Sequence, residues 1–376
     1  MPEPGPPGSP LAHALTVAAT VERRGVQLAF SARRGSTTAL IGPNGSGKST
    51  AIQLLAGALQ PDSGGITIDG TRVADARSLV PAHRRRIGYL EQRPLLFPHL
   101  SVLDNVAFGP RARGVRRDVA RARARFELTA VGAEHLADRR PRQLSGGQAQ
   151  RVAMARALAI DPDVVLLDEP FAALDAASTP DLRRLLRERL EGVTTLLVTH
   201  DLLDVLALAE GLVVLEAGRV VAAGGLDEVL TAPPTGFVAD FVGVNLLHGT
   251  AVDATSLRLD HGPVLVGIGE IKPGEEARAT VAPDAISLHR TAPGGSPRNT
   301  LDAEVVALDS RGPVVGVTVH AGAQALRVDL TAAAVAELGL VPGMRLVAVV
   351  KATQVRLHRS APHQTVSDPR ARPAGR

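Results

Sequence analysis

The chain has no cysteine and no tryptophan, and its other aromatics are one tyrosine and seven phenylalanines. Without cysteine there is no disulfide framework and no thiolate metal site. With so few rings the core must be built from Leu, Val, Ala and Ile, and the stacking faces that single-stranded nucleic acid needs are missing. The net charge of +4 is small for 376 residues. The pI of about 10.2 reflects the use of arginine. No nucleic-acid partner is expected. No apolar run approaches the roughly 18 residues of a membrane span. The start, Met1 to Pro10, is Pro/Gly-rich and lacks the basic-then-apolar pattern of a secretion signal. The expectation is a cytosolic protein that reaches a membrane only through partners. Its length allows two domains.

Lysine is scarce as well: Lys48 is the only one before Lys272. It lies in Gly42-Pro43-Asn44-Gly45-Ser46-Gly47-Lys48-Ser49-Thr50. The apolar run Thr38–Ile41 precedes it as a buried strand, and Ala51–Ala56 follows as a helix. Strand, glycine-rich turn and helix form the context a P-loop requires. Backbone N–H groups and the positive end of the helix surround a phosphate chain. Lys48 is a compact charge for β/γ-phosphate oxygens, and Ser49 places its hydroxyl on Mg²⁺. The fold class is therefore an α/β P-loop NTPase.

Other strand ends carry the remaining chemistry. Asp163–Asp168 is a buried strand ending in Asp168 and Glu169. Asp168 fits the metal side, held through water because Mg²⁺ keeps most of its waters. Glu169 points elsewhere and fits a base for the water attacking the γ-phosphate. His200 ends the strand Thr194–His200 as a bond to the terminal phosphate. Gln92, before a Pro-containing loop, is a metal or water ligand that also senses what docks nearby. Leu144-Ser145-Gly146-Gly147-Gln148 opens a helix and is an anion site. The phosphates already have Lys48, so this second cradle serves the nucleotide of another copy. Leu11–Phe30 alternates like edge strands, and Leu212–Leu215 with Val220–Ala223 reads as a hairpin. The arginine-rich stretch from Arg111 to Arg125 reads as a solvated helix face, or else as a contact for acidic lipid headgroups or nucleic acid.

The ordered set Gly42–Thr50, Gln92, Leu144–Gln148, Leu167–Glu169, Ala173-Leu174-Asp175 and Val198–His200 resembles the ATP-binding cassette of ABC transporters. The resemblance covers residues 11–243, with a helical subdomain at about 93–160. It implies ATP with Mg²⁺ and two cassettes packed head-to-tail. Ser145, Gly146, Gly147 and Gln148 of one would close on ATP held by Lys48 of the other, with Asp175 across the seam. Lys48, Gln92, Glu169 and His200 would be catalytic. Ser49, Gln92 and Asp168 would hold the metal. Such cassettes often stack adenine on an aromatic residue upstream, and none stands in Thr16–Gly25. Arg23 or Arg24 is the alternative.

From Asn245 the texture is β-rich, with a weak repeat. Asn245–Val252 resembles Asn299–Val306, and Val281–Arg290 resembles Val350–Arg359. One small OB-like all-β barrel or two fused ones are expected at residues 244–360, between disordered tails at 1–10 and 361–376. Ser296–Leu301 and Val350–Val355 resemble the two ends of the barrel in molybdate-binding proteins, with Pro297 at a usually small position. That resemblance extends to the ATPases of molybdate importers. It implies two transmembrane permease subunits, an extracytoplasmic binding protein, and a peripheral place on the cytoplasmic membrane face. Ser296, Arg298, Asn299 and Lys351 would take molybdate; a dimer-contact barrel that binds nothing is the other reading. Sulfate, sugar, polyamine and iron importers use related cassettes. A soluble non-transport ABC ATPase is more distant, since no long heptad run separates Lys48 from Asp168.

Overall fold

The computed structural model describes residues 13–172, 174, 179–260, 262–311 and 314–359. Two compact units divide after Val229. The first opens with β1 (His13–Val21), β2 (Val26–Arg33) and β3 (Thr37–Ile41), then α1 (Lys48–Ala56), β4 (Ser63–Ile68), β5 (Thr71–Asp75) and β6 (Ile87–Leu90). Three helices follow, α2 (Val102–Ala112), α3 (Arg117–Ala130) and α4 (Gly146–Leu158). The chain then alternates β7 (Val164–Asp168), α5 (Thr179–Leu190), β8 (Thr194–Val198) and α6 (Leu202–Leu208). It ends in β9 (Gly211–Glu216), β10 (Arg219–Gly225) and α7 (Leu226–Thr231), which runs across the division, and α8 (Gly236–Val242) opens the second unit.

The sheet order is β5-β4-β1-β2-β10-β9-β3-β8-β7-β6. Strands β9, β3, β8, β7 and β6 are parallel neighbours. Every residue of β3 and β8 is buried, as unbroken apolar runs covered on both faces require. Parallel strands deliver their C-terminal ends to one edge. Gly42, Glu169, His200 and Gln92 follow β3, β7, β8 and β6 on that edge, where ligands of open α/β sheets bind. The expected hairpin at 212–223 is β9 and β10. The expected edge strands are not edges: β1 lies between β4 and β2, and β2 between β1 and β10. Their alternation reports one well-covered face, a property that interior antiparallel strands share with edges.

Two cores flank the sheet. One joins Leu40, Ile52 and Leu54 to Leu15, Leu28 and Ile66. The other joins Leu167 and Leu197 to α2–α4 through Val106, Leu128 and Met154. Arg85 is buried and holds the end of α1, donating to the carbonyls of Leu54, Leu55, Val73 and Val80.

The second unit is all-β apart from short helices. Its strands are β11 (Asn245–Asp253), β12 (Ser256–Leu259), β13 (Val264–Val266), β14 (Glu276–Val281), β15 (Ile286–His289), β16 (Asn299–Arg311), β17 (Val314–Ala321) and β18 (Gln324–Thr331). Helix α9 (Ala332–Leu338), β19 (Arg345–Val350) and β20 (Val355–Arg359) complete it. They form two five-stranded sheets, β13-β12-β11-β14-β20 and β15-β19-β16-β17-β18, around one core. The repeat is thus real in space. Each half supplies four strands of one sheet, and its last strand, β15 or β20, crosses a short 3₁₀ turn to complete the other.

The two repeat asparagines do the same work. Asn245 accepts from Arg327 N and donates to Arg327 O, and Asn299 accepts from Val266 N and donates to Val266 O. Asn299 is fully buried and its amide is spent on Val266, so its side chain is unavailable to an oxyanion. Asn299→Ala leaves both Val266 groups without that partner. It should destabilise the second unit by about 1–3 kcal/mol, measured by urea unfolding.

Candidate functional site

The P-loop is built from the strand end outwards. Gly47 has φ +109 and hands the chain to α1. A Cβ on Gly42 would collide with the carbonyl oxygen of Leu215 and come within 2.7 Å of Ser46 Oγ. That close approach is why glycine stands there. Ser46 Oγ is buried and has no hydrogen-bond partner among the described residues, an orphaned hydroxyl inside the loop. Lys48 Nζ donates to the carbonyls of Gly42 and Pro43 at 2.6 and 2.9 Å. Burial lowers its pKa, and the charges of Glu169 and Asp168 oppose that fall. Pro43, Asn44, Gly45 and Ser49 are exposed, while Thr50 is buried. Arg24 donates to Thr50 Oγ1 and Gln53 Oε1, which lays its guanidinium over the start of α1; Arg23 is exposed.

Strand β7 ends in Asp168, and Glu169 follows with φ +49. This left-handed turn is held by Glu169 N donating to Val198 O on the neighbouring strand. Gln92 Nε2 donates to Glu169 Oε2 at 2.7 Å, and His200 Nδ1 lies 3.3 Å from Glu169 Oε1. Three residues from three strand ends thus meet at one carboxylate. Asp168 is pushed above the usual carboxylate range by burial, then by the charge of Glu169, with Lys48 pulling the other way. A cation there relieves the crowding of negative charge. The donors are oxygens, which suits Mg²⁺.

The loop carrying His200 is braced by residues that the sequence reading did not single out. Thr199 Oγ1 donates to Asp204 Oδ2, and Arg183 from α5 bonds both Asp201 and Asp204. Asp201 caps α6 through Leu203 N. That N-cap was the one available sequence signal; the arginine partner is far away in the chain.

Ser145 is the N-cap of α4, in a capping box with Gln148: Gln148 N donates to Ser145 Oγ and Ser145 N to Gln148 Oε1. Ser145 and Gly146 are exposed and Gly147 is half-buried. Among the described residues, no hydrogen bond links Ser145, Gly146, Gly147 or Gln148 to the P-loop. Asp175 lies outside the described residues. In the second unit, Ser296, Arg298 and Lys351 are exposed. The Asn299–Val350 pairing brings Lys351 to the same strand end as the 296–299 segment.

Beyond Gln92 a groove of about 330 Å³ is lined by Tyr89, Glu91, Leu95, Phe97, Phe108 and Arg156. Leu95 and Phe108 are exposed apolar side chains, 59% and 45% accessible. Arg156 Nη1 donates to Leu95 O, and its guanidinium lies 5.7 Å from the Phe97 ring centre. No helix among the described residues is long and apolar enough to cross a membrane.

Gly42→Ala tests how tightly the loop is built. It should lower ATP affinity at least about tenfold while far-UV circular dichroism stays that of the parent, read by fluorescent-nucleotide titration.

Comparison with known proteins agrees with this geometry. The family model described as ABC transporter matches residues 26–172, and that described as TOBE domain matches residues 295–357. The molybdenum import ATP-binding protein ModC of Mycobacterium tuberculosis is 46% identical over 94% of this chain and 99% of its own length. The molybdate/tungstate import ATP-binding protein WtpC of Pyrococcus horikoshii is 34% identical over 88% of this chain and 94% of its own. The sulfate/thiosulfate import ATP-binding protein CysA of Ralstonia nicotianae is 41% identical over 72% of this chain and 74% of its own. Among solved structures, cbiO1 from Clostridium perfringens, part of the ABC transporter complex cbiONQ, superposes with a TM-score of 0.53 at 34% identity. It covers 58% of this chain and 91% of its own. With the P-loop, the Asp168–Glu169 turn and the Ser145 helix start in one unit and a β-unit after it, the chain belongs to the family of ATP-binding subunits of ABC importers.

Proposed function

We propose that this ATP-hydrolysing subunit energises the import of molybdate, working as a homodimer on the cytoplasmic face of the membrane beneath two permease subunits. The ATP-binding domain is residues 11–243, with its helical part at about 93–160, and the barrel is residues 244–360. The observation that carries the enzymatic reading is the meeting of Gln92 and His200 at Glu169. Glu169 is the base that orients and deprotonates the attacking water, a contribution of about 10²–10⁴ in rate. His200 holds the terminal phosphate, and Gln92 reports to Glu169 whether the groove beside it is filled. Residues 42–50 bind the phosphates, and Arg24 is placed to lie against the base. Ser49, Asp168 and Gln92 would hold Mg²⁺, which neutralises phosphate charge when bound.

Among the described residues, the cradle at Ser145 to Gln148, exposed at Ser145 and Gly146, makes no hydrogen bond to its own P-loop. This supports a head-to-tail pair in which it, with Asp175, closes on the partner's ATP. The groove at Leu95, Phe97 and Phe108 is the proposed dock for a permease helix.

For the cargo, the span of the likenesses supports molybdate. ModC matches this chain nearly end to end, whereas the sulfate relative of Ralstonia matches 72% of it. Molybdate would reach the subunit from an extracytoplasmic binding protein through the permease. A regulatory oxyanion at the barrel would use Ser296, Arg298, Lys351 and backbone N–H donors, since the Asn299 amide is engaged.

Glu169→Gln should bind ATP with affinity within about threefold of the parent, lose about 10²-fold or more of turnover, and accumulate as a dimer. Parent-rate hydrolysis would overturn the assignment of the base. Phe108→Asp should release the subunit from detergent-solubilised permease in co-purification while leaving ATP binding intact. In cells deleted for the gene, restored uptake of sulfate and not of molybdate would overturn the cargo.

A further inference from the structure

Gln150 lies just over one turn beyond Ser145 on α4, and its side chain is completely buried. Its Nε2 donates to the carbonyl of Pro170 at 3.3 Å, and its Oε1 has no partner among the described residues. Pro170 is the residue after Glu169. A second contact runs beside the first: a Cβ on Gly147 would lie 3.0 Å from Leu174 Cδ2, so the Leu174 side chain rests on the turn that presents Ser145. Between these contacts the segment is closed by its own hydrogen bonds. Ala172 N donates to Glu169 O, and Leu174 N to Phe171 O. Both contacts therefore bear on the segment that follows Glu169.

We propose that Gln150 is a positioning residue that makes the two ATP sites of the cassette pair act together. The inference rests on the head-to-tail pair proposed above. In that pair Ser145 meets the partner's nucleotide, whereas Glu169 serves the nucleotide of its own chain. Two groups of one chain that address two different ATP molecules are then joined inside that chain by the Gln150 amide and the Leu174 side chain. When ATP in the partner draws on Ser145, α4 carries the displacement through Gln150 to Pro170, and Glu169 is re-aimed. Coupling needs an element with two discrete arrangements. The half-used amide fits such a joint: its donor is engaged in this arrangement, and its free acceptor is there for a partner in another.

The test uses the full-length chain at fixed concentration. ATP-dependent pairing is followed by size-exclusion chromatography with Glu169→Gln added, and the ATP dependence of hydrolysis is followed without it. The parent should pair and hydrolyse ATP with a Hill coefficient approaching about 2, the number of sites. Gln150→Leu keeps the volume and removes the donor; it should pair like the parent but hydrolyse with a Hill coefficient clearly below the parent's and no higher than that of its own ATP-dependent pairing. Gln150→Glu, which sets a carboxylate against the Pro170 carbonyl, should do the same. Leu174→Ala should lower the coefficient partway, and it carries the test if Gln150→Leu fails to fold. An unchanged coefficient in Gln150→Leu and Leu174→Ala with pairing intact overturns the coupling alone, as does a parent coefficient of about 1. A Gln150→Leu chain that no longer pairs places Gln150 in the interface and overturns its role as a joint. A parent that stays monomeric with Mg-ATP overturns both the pair and the coupling.

Discussion

The carboxylate of Glu169 is held in a left-handed turn between a glutamine and a histidine, and the site is organised by that turn. A residue with a β-carbon in this conformation costs on the order of 1–2 kcal/mol. The surroundings over-determine it: the Glu169 amide is tied to Val198, and its two carboxylate oxygens face Gln92 and His200. The turn is also what lets two adjacent acids do different things. Asp168 stays in the strand, half-buried near Lys48, and its charge is disfavoured by burial and by Glu169. Glu169 swings to the strand-end edge, between Gln92 and His200.

Much of this edge was legible in the sequence because parallel strands write themselves as unbroken apolar runs. Thr38–Ile41, Val164–Leu167 and Thr194–Val198 each end at a residue of the site, and parallel pairing puts those ends side by side. The P-loop was legible because its glycines answer steric demands at fixed spacing. The bracing of His200 was not, because Arg183 comes from another helix and a lone arginine carries no local signal. The interior place of β1 and β2 was not, because alternation reports one covered face and is silent about neighbours. Gln150 escaped notice for a similar reason. A glutamine in a polar helix start looks exposed, and only the packing of α4 on the Pro170 turn buries it.

The second unit shows the same limit in another form. The repeat could be read from Asn245 and Asn299 and from the matching Val281 and Val350 segments. The exchange of β15 and β20 between sheets could not, since a 3₁₀ turn can return a strand to its own sheet or pass it to the next. Asn299 shows how a motif misleads by residue type. An amide at a motif position reads as a ligand, yet here it pins β13, as Asn245 pins β18 in the other half. What remains free at that end of the unit is basic: Arg298 and Lys351.

The central claim is that ATP is gripped between two chains, by the P-loop of one and the Ser145 turn of the other. The absence of cysteine makes this directly measurable. A mixture of Asn44→Cys and Ser145→Cys chains, each also carrying Glu169→Gln, can be oxidised with and without Mg-ATP and resolved on a non-reducing gel. The account predicts a disulfide-linked dimer of the two chains that forms with Mg-ATP and not without it. Equal yield in both conditions, or no cross-link in either, would contradict it.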